Sequence, residues 1–538
     1  MLTSPSANTK SELLVPAGSL AKLRIAILYG ADAVYLGTPD MSLRTKSDFT
    51  LEEILQGVEL AHKHGVKVYL TLNMFSHNKD IEKLPTFVDT IREVKPDGVI
   101  VADPGVFQFV KARAPELEIH ISTQANVCSW LSVQFWQDQG AKLCVLGREV
   151  TYSELVEIRK KCPDIKLEAF IHGSMCMTYS GRCLLSNYMA ERGANQGNCA
   201  HNCRWNYKVH LQLKDGTLHE LEVNEENRDQ FQFLLEEEFR PGELYSLEED
   251  GRGSYLMNSK DLCLMPRLPD FLRLGIDSLK IEGRNKSVYY LGVVTHAYRQ
   301  AIDRWYEDPE NWSAEPFLRE LQTIPNRGYT LAFHDGRLTD LAHNFENTEV
   351  LSAWEFAGQI TRADSNSITL KAKNRLSSGD VLEFISASRE DTLFLRMYEY
   401  IDDKTGEVFD VVHGGTRDIR IPLAFFNLEN METIGERFQV GELVRKARPL
   451  SSTASHRLAR DGAALRAEVN GDEVLTEEEL AALARRHPAT LTGKPPRLGI
   501  DGCCGKGCNG CLIFAHDPAF ETARLNLKQK PIGQRLGG

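Results

Sequence analysis

The sequence lacks the features of a membrane-spanning or exported protein. No apolar run approaches the roughly 18 residues that a transmembrane helix needs, so no membrane partner is expected. The opening residues, MLTSPSANTKSELLVPAG, show no basic segment followed by an apolar one, as a secretory signal would. We therefore expect a cytoplasmic protein, and in that reducing compartment we expect no disulfide framework.

The sequence also lacks an excess of basic residues. The net charge is −12 in 538 residues, of which 42% are hydrophobic and 26% charged, a composition typical of a globular protein with several domains. Because nucleic-acid phosphates are bound by Lys and Arg, this charge argues against an extended nucleic-acid coat and leaves only a local basic patch open. An HExxH zinc-protease motif is also missing.

Eight short apolar runs alternate with helical patterns in the first part of the chain. Near-continuous apolar strands separated by helices are typical of a parallel sheet, and eight such units predict an α/β fold of the TIM-type (β/α)8 barrel. The alternative, an open doubly wound sheet, more often carries a glycine-rich phosphate loop after its first strand, which VPAGSL matches poorly. The runs begin at Glu12, Asp32, Val66, Asp97, Leu117, Ala141, Lys166 and Ile276.

The domain organisation follows from one long gap and from a change of pattern. Strands seven and eight are separated by an insertion at 173–275 that contains several cysteines, and after residue 326 short strands with turn signals predict a small β-barrel. We divide the chain into a flexible N-terminus (1–11), a TIM-like barrel (12–325) with its insertion (173–275), a small β-barrel (326–450), a linker region with one helix (451–500) and a cysteine-rich metal-binding tail (501–538).

Polar side chains follow the predicted barrel strands. Barrel enzymes carry their chemistry where the strands end, so these side chains are expected to converge on one mouth beneath the insertion. They are Asn73, Asp103, Ser122, Thr123, Gln124, Arg148, Glu149, His172, Glu282 and Arg284.

Five cysteines of the insertion are candidate metal ligands. Cys176, Cys183, Cys199 and Cys203 lie among Gly, Ser, Asn and Arg, which are poor core residues, and Cys263 follows in MNSKDLC. Thiolates in such loops suit zinc or an iron–sulfur cluster, and the wide gap between Cys176 and Cys183 favours the cluster. The spacing leaves open whether Cys203 or Cys263 is the fourth ligand. For Cys128, Cys144 and Cys162 we expect buried, inert thiols.

The tail contains a second cluster of cysteines in DGCCGKGCNGC. The tight spacing with intervening glycines predicts a metal site that holds zinc or a second iron–sulfur cluster, with His516 as an alternative ligand. Inert free thiols are the other possibility, although exposed thiols invite oxidation. The predicted ligands are Cys503, Cys504, Cys508 and Cys511.

Several stretches together resemble the collagenase-like peptidase family, a barrel family first grouped as peptidases of unknown catalytic type. They are EAFIHGSMCMTYSGRCLLS, MNSKDLC, SLKIEGR and NRGYT, and the resemblance covers about residues 10–450. The better-understood bacterial members are hydroxylation proteins that carry an iron–sulfur cluster. The resemblance implies a cluster of the 4Fe-4S type held by Cys176, Cys183, Cys199 and Cys263.

The likeness is greatest to members that hydroxylate the wobble uridine of tRNA to 5-hydroxyuridine, with prephenate as the hydroxyl donor. Relatives act on ribosomal RNA or on ubiquinone precursors. Because prephenate carries two carboxylates, Arg148, Arg182 and Arg284 are candidates to bind it, although each could instead form a surface salt bridge. Glu282 and His172 are candidates for proton transfer, so His172, Glu282 and Arg284 form the predicted catalytic set.

Aromatic and basic residues of the insertion are candidates to bind the RNA. Tyr179 could stack on an unpaired base together with Trp205 and Tyr207, and Arg204 with Lys208 could bind phosphate. The alternative is that these aromatic residues pack the insertion onto the barrel.

Two rival functions belong to other classes. A peptidase needs a nucleophile and a base, and only His172 beside Ser174 and Cys176 offers them, but an iron-bound cysteine is not a free nucleophile. A non-catalytic scaffold would use the clusters structurally and the mouth to bind a partner.

Overall fold

The computed structural model describes most of the barrel and of the domain that follows it. The chain divides into two compact units, 1–490 and 491–538, and every described residue belongs to the first. The predicted tail, and the predicted linker apart from residue 465, lie outside the described residues. The described residues are 10–38, 49–73, 76–175, 210–212, 218–220, 233–236, 244–250, 253–255, 259–336, 352–388, 392–426, 438–448 and 465.

Seven of the eight predicted barrel strands come before the insertion. Each pairs in parallel with the next one along the chain, and nearly all of their residues are buried because one face meets the barrel interior and the other the helices. They are β1 (Glu12–Ala17), β2 (Ala33–Gly37), β3 (Lys67–Leu72), β4 (Gly98–Val101), β5 (Glu118–Ile121), β6 (Leu143–Val145) and β7 (Lys166–Ser174).

Helices connect these strands, and local sequence signals determine where several of them begin. Capping boxes are formed by Thr50 with Glu53 and by Thr151 with Glu154. Asp103 precedes Pro104 at the start of another helix, and its carboxylate accepts hydrogen bonds from the two backbone N–H groups that follow this proline. The helices are α1 (Leu20–Leu28), α2 (Leu51–Lys63), α3 (Asn78–Ile81), α4 (Leu84–Val94), α5 (Pro104–Arg113), α6 (Trp130–Asp138) and α7 (Tyr152–Lys161).

The insertion contains further short strands, and the last of them lies against the barrel. This last strand, β13, pairs in antiparallel fashion with the end of β7, with Cys263 opposite His172 and Asp261 opposite Ser174. The insertion strands are β8 (His210–Gln212), β9 (Leu218–Glu220), β10 (Phe233–Glu236), β11 (Leu244–Asp250), β12 (Gly253–Tyr255) and β13 (Asp261–Cys263).

The eighth barrel strand closes the sheet. After α8 (Leu268–Leu274), strand β14 (Ser278–Ile281) pairs in parallel with both β1 and β7, which confirms the predicted (β/α)8 barrel with its insertion between strands seven and eight. The long helix α9 (Val288–Glu307) then packs against α1, and α10 (Glu315–Leu321) follows it. Strand β15 (Tyr329–Thr330), just beyond the predicted domain boundary at 326, still pairs with β13 in the barrel sheet.

The second domain is an antiparallel half-barrel around its own hydrophobic core. Its sheet has the strand order β20-β19-β25-β16-β17-β24-β21-β22, and β18 pairs with β23 beside it. The structure therefore confirms the prediction of short strands in the second domain. The strands are β16 (Trp354–Ala363), β17 (Ser367–Ala372), β18 (Leu376–Ser377), β19 (Val381–Ile385), β20 (Leu393–Arg396), β21 (Tyr400–Asp402), β22 (Val408–Phe409), β23 (Val411–Val412), β24 (Asp418–Pro422) and β25 (Leu443–Ala447).

Buried polar contacts join the half-barrel to the barrel. The hydroxyl of Tyr29, just after α1, donates to the carbonyl of Ile385 and accepts from the N–H of Leu443, each at 2.9 Å. Arg445 of β25 donates to the carboxylates of Glu320 in α10 and Glu383 in β19 at 2.6–2.9 Å. Because these groups are removed from water, the two domains are held in one arrangement.

In the described part of the chain, no helix is both long and apolar enough to span a bilayer.

Candidate active site at the barrel mouth

The ends of β7 and β14 approach each other so closely that one position admits only glycine. Gly173 has φ +127°, and a Cβ atom placed there would lie 2.6 Å from the Glu282 Cβ. The backbone N–H of Glu282 also donates to the carbonyl of His172 at 2.9 Å. This contact fixes Glu282 at the mouth, directly after β14. Its carboxylate lies 3.4 Å from the Tyr35 hydroxyl, which shares its one proton between this carboxylate and the Ile281 carbonyl at 3.1 Å.

A buried ion pair lies below the mouth, inside the barrel. The Lys280 ammonium is 2.6 Å from a Glu168 carboxylate oxygen, and the two side chains are 7% and 0% exposed. Ser278 donates to the other Glu168 oxygen at 3.0 Å. Lys280 also lies 4.5 Å from the centroid of the Tyr35 ring. A buried pair of this kind is stable only with additional hydrogen bonds, which Ser278 supplies.

Two predicted arginines lie near this pair. The Arg284 guanidinium is 5.9 Å from the centroid of the same Tyr35 ring and donates to the Thr71 hydroxyl at 3.1 Å. The Arg148 guanidinium stacks 3.9 Å from the Phe170 ring, which also lies 5.6 Å from the Lys280 ammonium. The structure therefore brings three cations together around two aromatic rings, Phe170 of β7 and Tyr35 of β2.

The predicted base His172 faces away from the barrel axis. The register of β7 against β14 shifts between Phe170 and His172, so that the His172 ring contacts Tyr290 and Tyr298 of α9 and Tyr329 of β15. Burial lowers the pKa of His172 to about 3, which keeps the imidazole neutral near neutral pH. This position favours a role in holding the strands together over proton transfer at the mouth.

Cys263 is the one predicted cluster ligand that lies within the described residues. It is fully buried, its sulfur is 3.9 Å from the Tyr298 hydroxyl, and its β13 position opposite His172 puts both side chains on one side of the sheet. Strand β7 leads directly into Cys176, so two candidate ligands belong to adjacent chain segments.

The other described cysteines fit the prediction of inert thiols. Burial raises the pKa of Cys144 to about 12 and that of Cys128 to about 11, so both thiols stay protonated. Cys162 is also buried, and its thiol lies 3.4 Å from the Trp130 carbonyl.

The remaining predicted site residues lie outside the described residues. They are the candidate ligands Cys176, Cys183, Cys199, Cys203, Cys503, Cys504, Cys508 and Cys511, and the candidate substrate-binding residues Tyr179, Arg182 and Arg204.

Sequence reasoning missed Lys280, Glu168 and His120, which all point into the barrel. His120 is 1% exposed, its ring lies 4.6 Å from that of Tyr69, and its Nε2 is 3.5 Å from Glu118. The available signal was a charged or titratable residue in the middle of an apolar strand, as in KLEAF, SLKIEG and LEIHI. Strands buried on both faces leave such residues no route to solvent, so they have to meet inside the barrel.

Comparisons with known proteins add an independent finding. The family model described as peptidase family U32 matches residues 18–344. The tRNA hydroxylation protein P1 of Bacillus subtilis is 37% identical over 418 residues, covering 77% of this chain and 92% of that protein. The tRNA hydroxylation protein P of Escherichia coli is 37% identical over 437 residues, covering 77% of this chain and 94% of that protein. The 23S rRNA 5-hydroxycytidine C2501 synthase of Escherichia coli is 29% identical over 381 residues, covering 70% of this chain and 52% of that protein.

The buried Lys280–Glu168 pair can be used to test whether water is excluded from the barrel interior. Lys280→Met leaves the Glu168 carboxylate buried without its partner, and we expect a loss of about 3–5 kcal/mol in the free energy of unfolding, measured by chemical denaturation. Adding Glu168→Gln should restore most of it. Lys67→Met, which breaks the Lys67–Glu12 pair with its 52% exposed lysine, is the control and should cost no more than about 1 kcal/mol. Equal effects of Lys280→Met and Lys67→Met would contradict a water-free interior.

Proposed function

This chain belongs to peptidase family U32, and we propose that within that family it is an RNA-modifying hydroxylase that converts the wobble uridine of tRNA to 5-hydroxyuridine. The observation that carries the proposal is the 37% identity, over 77% of this chain, to proteins named for tRNA hydroxylation. The aligned part spans more than nine tenths of each of those relatives, so the likeness is not confined to one domain. A cytoplasmic location, where tRNA is available, is part of the same proposal.

The mouth offers cations for an anionic hydroxyl donor, which we propose is prephenate. Arg284 and Arg148 lie over the rings of Tyr35 and Phe170, and the Lys280 ammonium, paired with Glu168 below the mouth, also lies over Tyr35. A guanidinium can bind a carboxylate through two parallel hydrogen bonds. A donor with two carboxylates would then be held by two separated arginines, while the Glu168–Lys280 pair keeps the floor beneath it neutral overall.

Glu282 is the described residue best placed to move a proton. Its carboxylate accepts from the Tyr35 hydroxyl, and the close contact with Gly173 holds its backbone at the rim of the mouth. His172, the other candidate from the sequence, is neutral and directed toward α9. We therefore assign proton transfer at the mouth to Glu282, with Tyr35 orienting its carboxylate.

We propose that an iron–sulfur cluster of the 4Fe-4S type is held by Cys176, Cys183, Cys199 and Cys263. The support in the described residues is that Cys263 is buried beside the end of β7, from which the chain continues directly to Cys176. A buried thiol that lies 3.9 Å from the Tyr298 hydroxyl fits such a cluster, which would supply one-electron transfer when bound. For the tail cysteines, zinc or a second cluster stays a prediction.

One relative favours a second candidate function. The likeness to the 23S rRNA 5-hydroxycytidine synthase suggests that the same barrel could serve ribosomal RNA, with cytidine in place of uridine. The lower identity and the 52% coverage of that relative make this the weaker candidate.

Deleting the protein should remove its product from tRNA. We expect 5-hydroxyuridine and nucleosides derived from it to fall in total tRNA of a deletion strain, measured by mass spectrometry of digested nucleosides. The fall should be largest without oxygen, where no oxygen-dependent enzyme can compensate, and the wild-type protein should restore the level. Unchanged tRNA with altered ribosomal RNA would favour the second candidate, and unchanged nucleosides in both RNAs would refute RNA hydroxylation.

Substituting Cys263 should remove bound iron if it is the fourth ligand. Protein purified without oxygen should contain iron and sulfide in near-equal amounts, and Cys263→Ser should lose most of both. Cys144→Ser is the matched control, because it is an equally buried thiol whose pKa of about 12 does not favour metal binding. Full iron content in Cys263→Ser, together with loss in Cys203→Ser, would move the fourth ligand to Cys203.

A further inference from the structure

Three uncharged polar residues meet at the mouth, at the ends of β3 and β5. Asn73 follows β3, Ser122 follows β5, and Gln124 lies in the 3-10 turn Thr123–Ala125. The Asn73 amide nitrogen donates to the Ser122 hydroxyl oxygen at 3.4 Å, and the backbone N–H of Gln124 donates to the same oxygen at 3.5 Å. Because β4 lies between β3 and β5, these contacts pass over the carboxyl end of β4, at the catalytic end of the barrel.

Two acceptors of this group lack donors. Within the described residues, neither the Asn73 Oδ1 nor the Gln124 Oε1 has a hydrogen-bond partner, although both atoms are buried and Gln124 as a whole is only 7% exposed. A buried acceptor without a donor costs on the order of 1–3 kcal/mol, so such atoms are rare unless a ligand completes them. Both orphan atoms are carbonyl oxygens, so the missing ligand must present N–H or O–H donors.

The two side-chain amides carry the kinds of hydrogen-bonding groups that proteins use to recognise a nucleobase. Each side-chain amide offers an acceptor beside a donor, and the Asn73 orientation is held by its bond to Ser122. The edge of a flipped-out uracil offers the complement, a ring N3–H flanked by carbonyl oxygens. Proteins that act on unpaired bases read them in this way, by hydrogen bonds to the Watson–Crick edge.

We propose that Asn73 and Gln124 form the recognition site for the target base, in which the single N3–H of a uracil is shared between their two amide oxygens. This inference rests on the proposed function and deepens it, because it assigns the base to the amides at the ends of β3 and β5 and leaves the arginines to the anionic donor. Ser122 is a positioning residue that holds the Asn73 amide.

The test compares two anticodon stem–loop RNAs that carry uridine or 3-methyluridine at the target position. Methylation blocks the N3–H donor and should weaken binding to the wild-type protein about tenfold, as expected for one lost hydrogen bond. Because the two amides share one N3–H, the double variant Asn73→Ala/Gln124→Ala should bind both RNAs alike, at the weaker affinity. The controls Asn78→Ala and Gln134→Ala change exposed residues of α3 and α6 and should keep the tenfold ratio.

A second variant separates recognition from folding. Gln124→Met removes one of the two orphan acceptors at similar size, so thermal stability should be unchanged or higher while discrimination against 3-methyluridine falls below tenfold. A wild-type protein that hydroxylates uridine but binds both RNAs equally would overturn the inference and leave the proposed function intact. Retained tenfold discrimination in the double variant Asn73→Ala/Gln124→Ala would overturn it in the same way. A wild-type protein that binds neither RNA would refute both.

Discussion

The pairing of β7 with β14 is the constraint on which the candidate site depends. These two strands close the barrel across an insertion of about a hundred residues, and the positions of Glu282 and Arg284 at the mouth depend on them. Their ends approach so closely at Gly173 and Glu282 that any side chain at position 173 would collide with β14. The same junction carries the shift in register that turns Phe170 toward the barrel axis and His172 toward α9.

Burial of charge inside the barrel follows from this closure. Lys280 and Glu168 lie on the two closing strands, and their ammonium and carboxylate meet only because the strands pair in this register. Removing both charges from water is costly unless they stay paired, so the pair also penalises any slip of β14 along β7. Glu282 and Arg284 follow β14 in the chain, so their positions at the mouth are set by the register of β14 against β7.

The sequence predicted the barrel well because its strands are buried on both faces and therefore read as apolar runs bounded by turns. It also predicted that Arg148, Glu282 and Arg284 lie at strand ends. It could not predict that His172 faces α9, because strand alternation alone places it toward the axis and the irregularity at Ile171 has no sequence signature. Nor could it foresee the Lys280–Glu168 contact, which depends on the relative register of strands separated by the insertion.

The central claim is that this barrel hydroxylates RNA and does not cleave peptides. The most direct measurement is a reconstitution with purified protein, prephenate and tRNA from the deletion strain, without oxygen, followed by mass spectrometry of the nucleosides, with a collagen-type peptide incubated in parallel. We expect 5-hydroxyuridine in the tRNA and an intact peptide. Peptide cleavage with no hydroxylated nucleoside would contradict it.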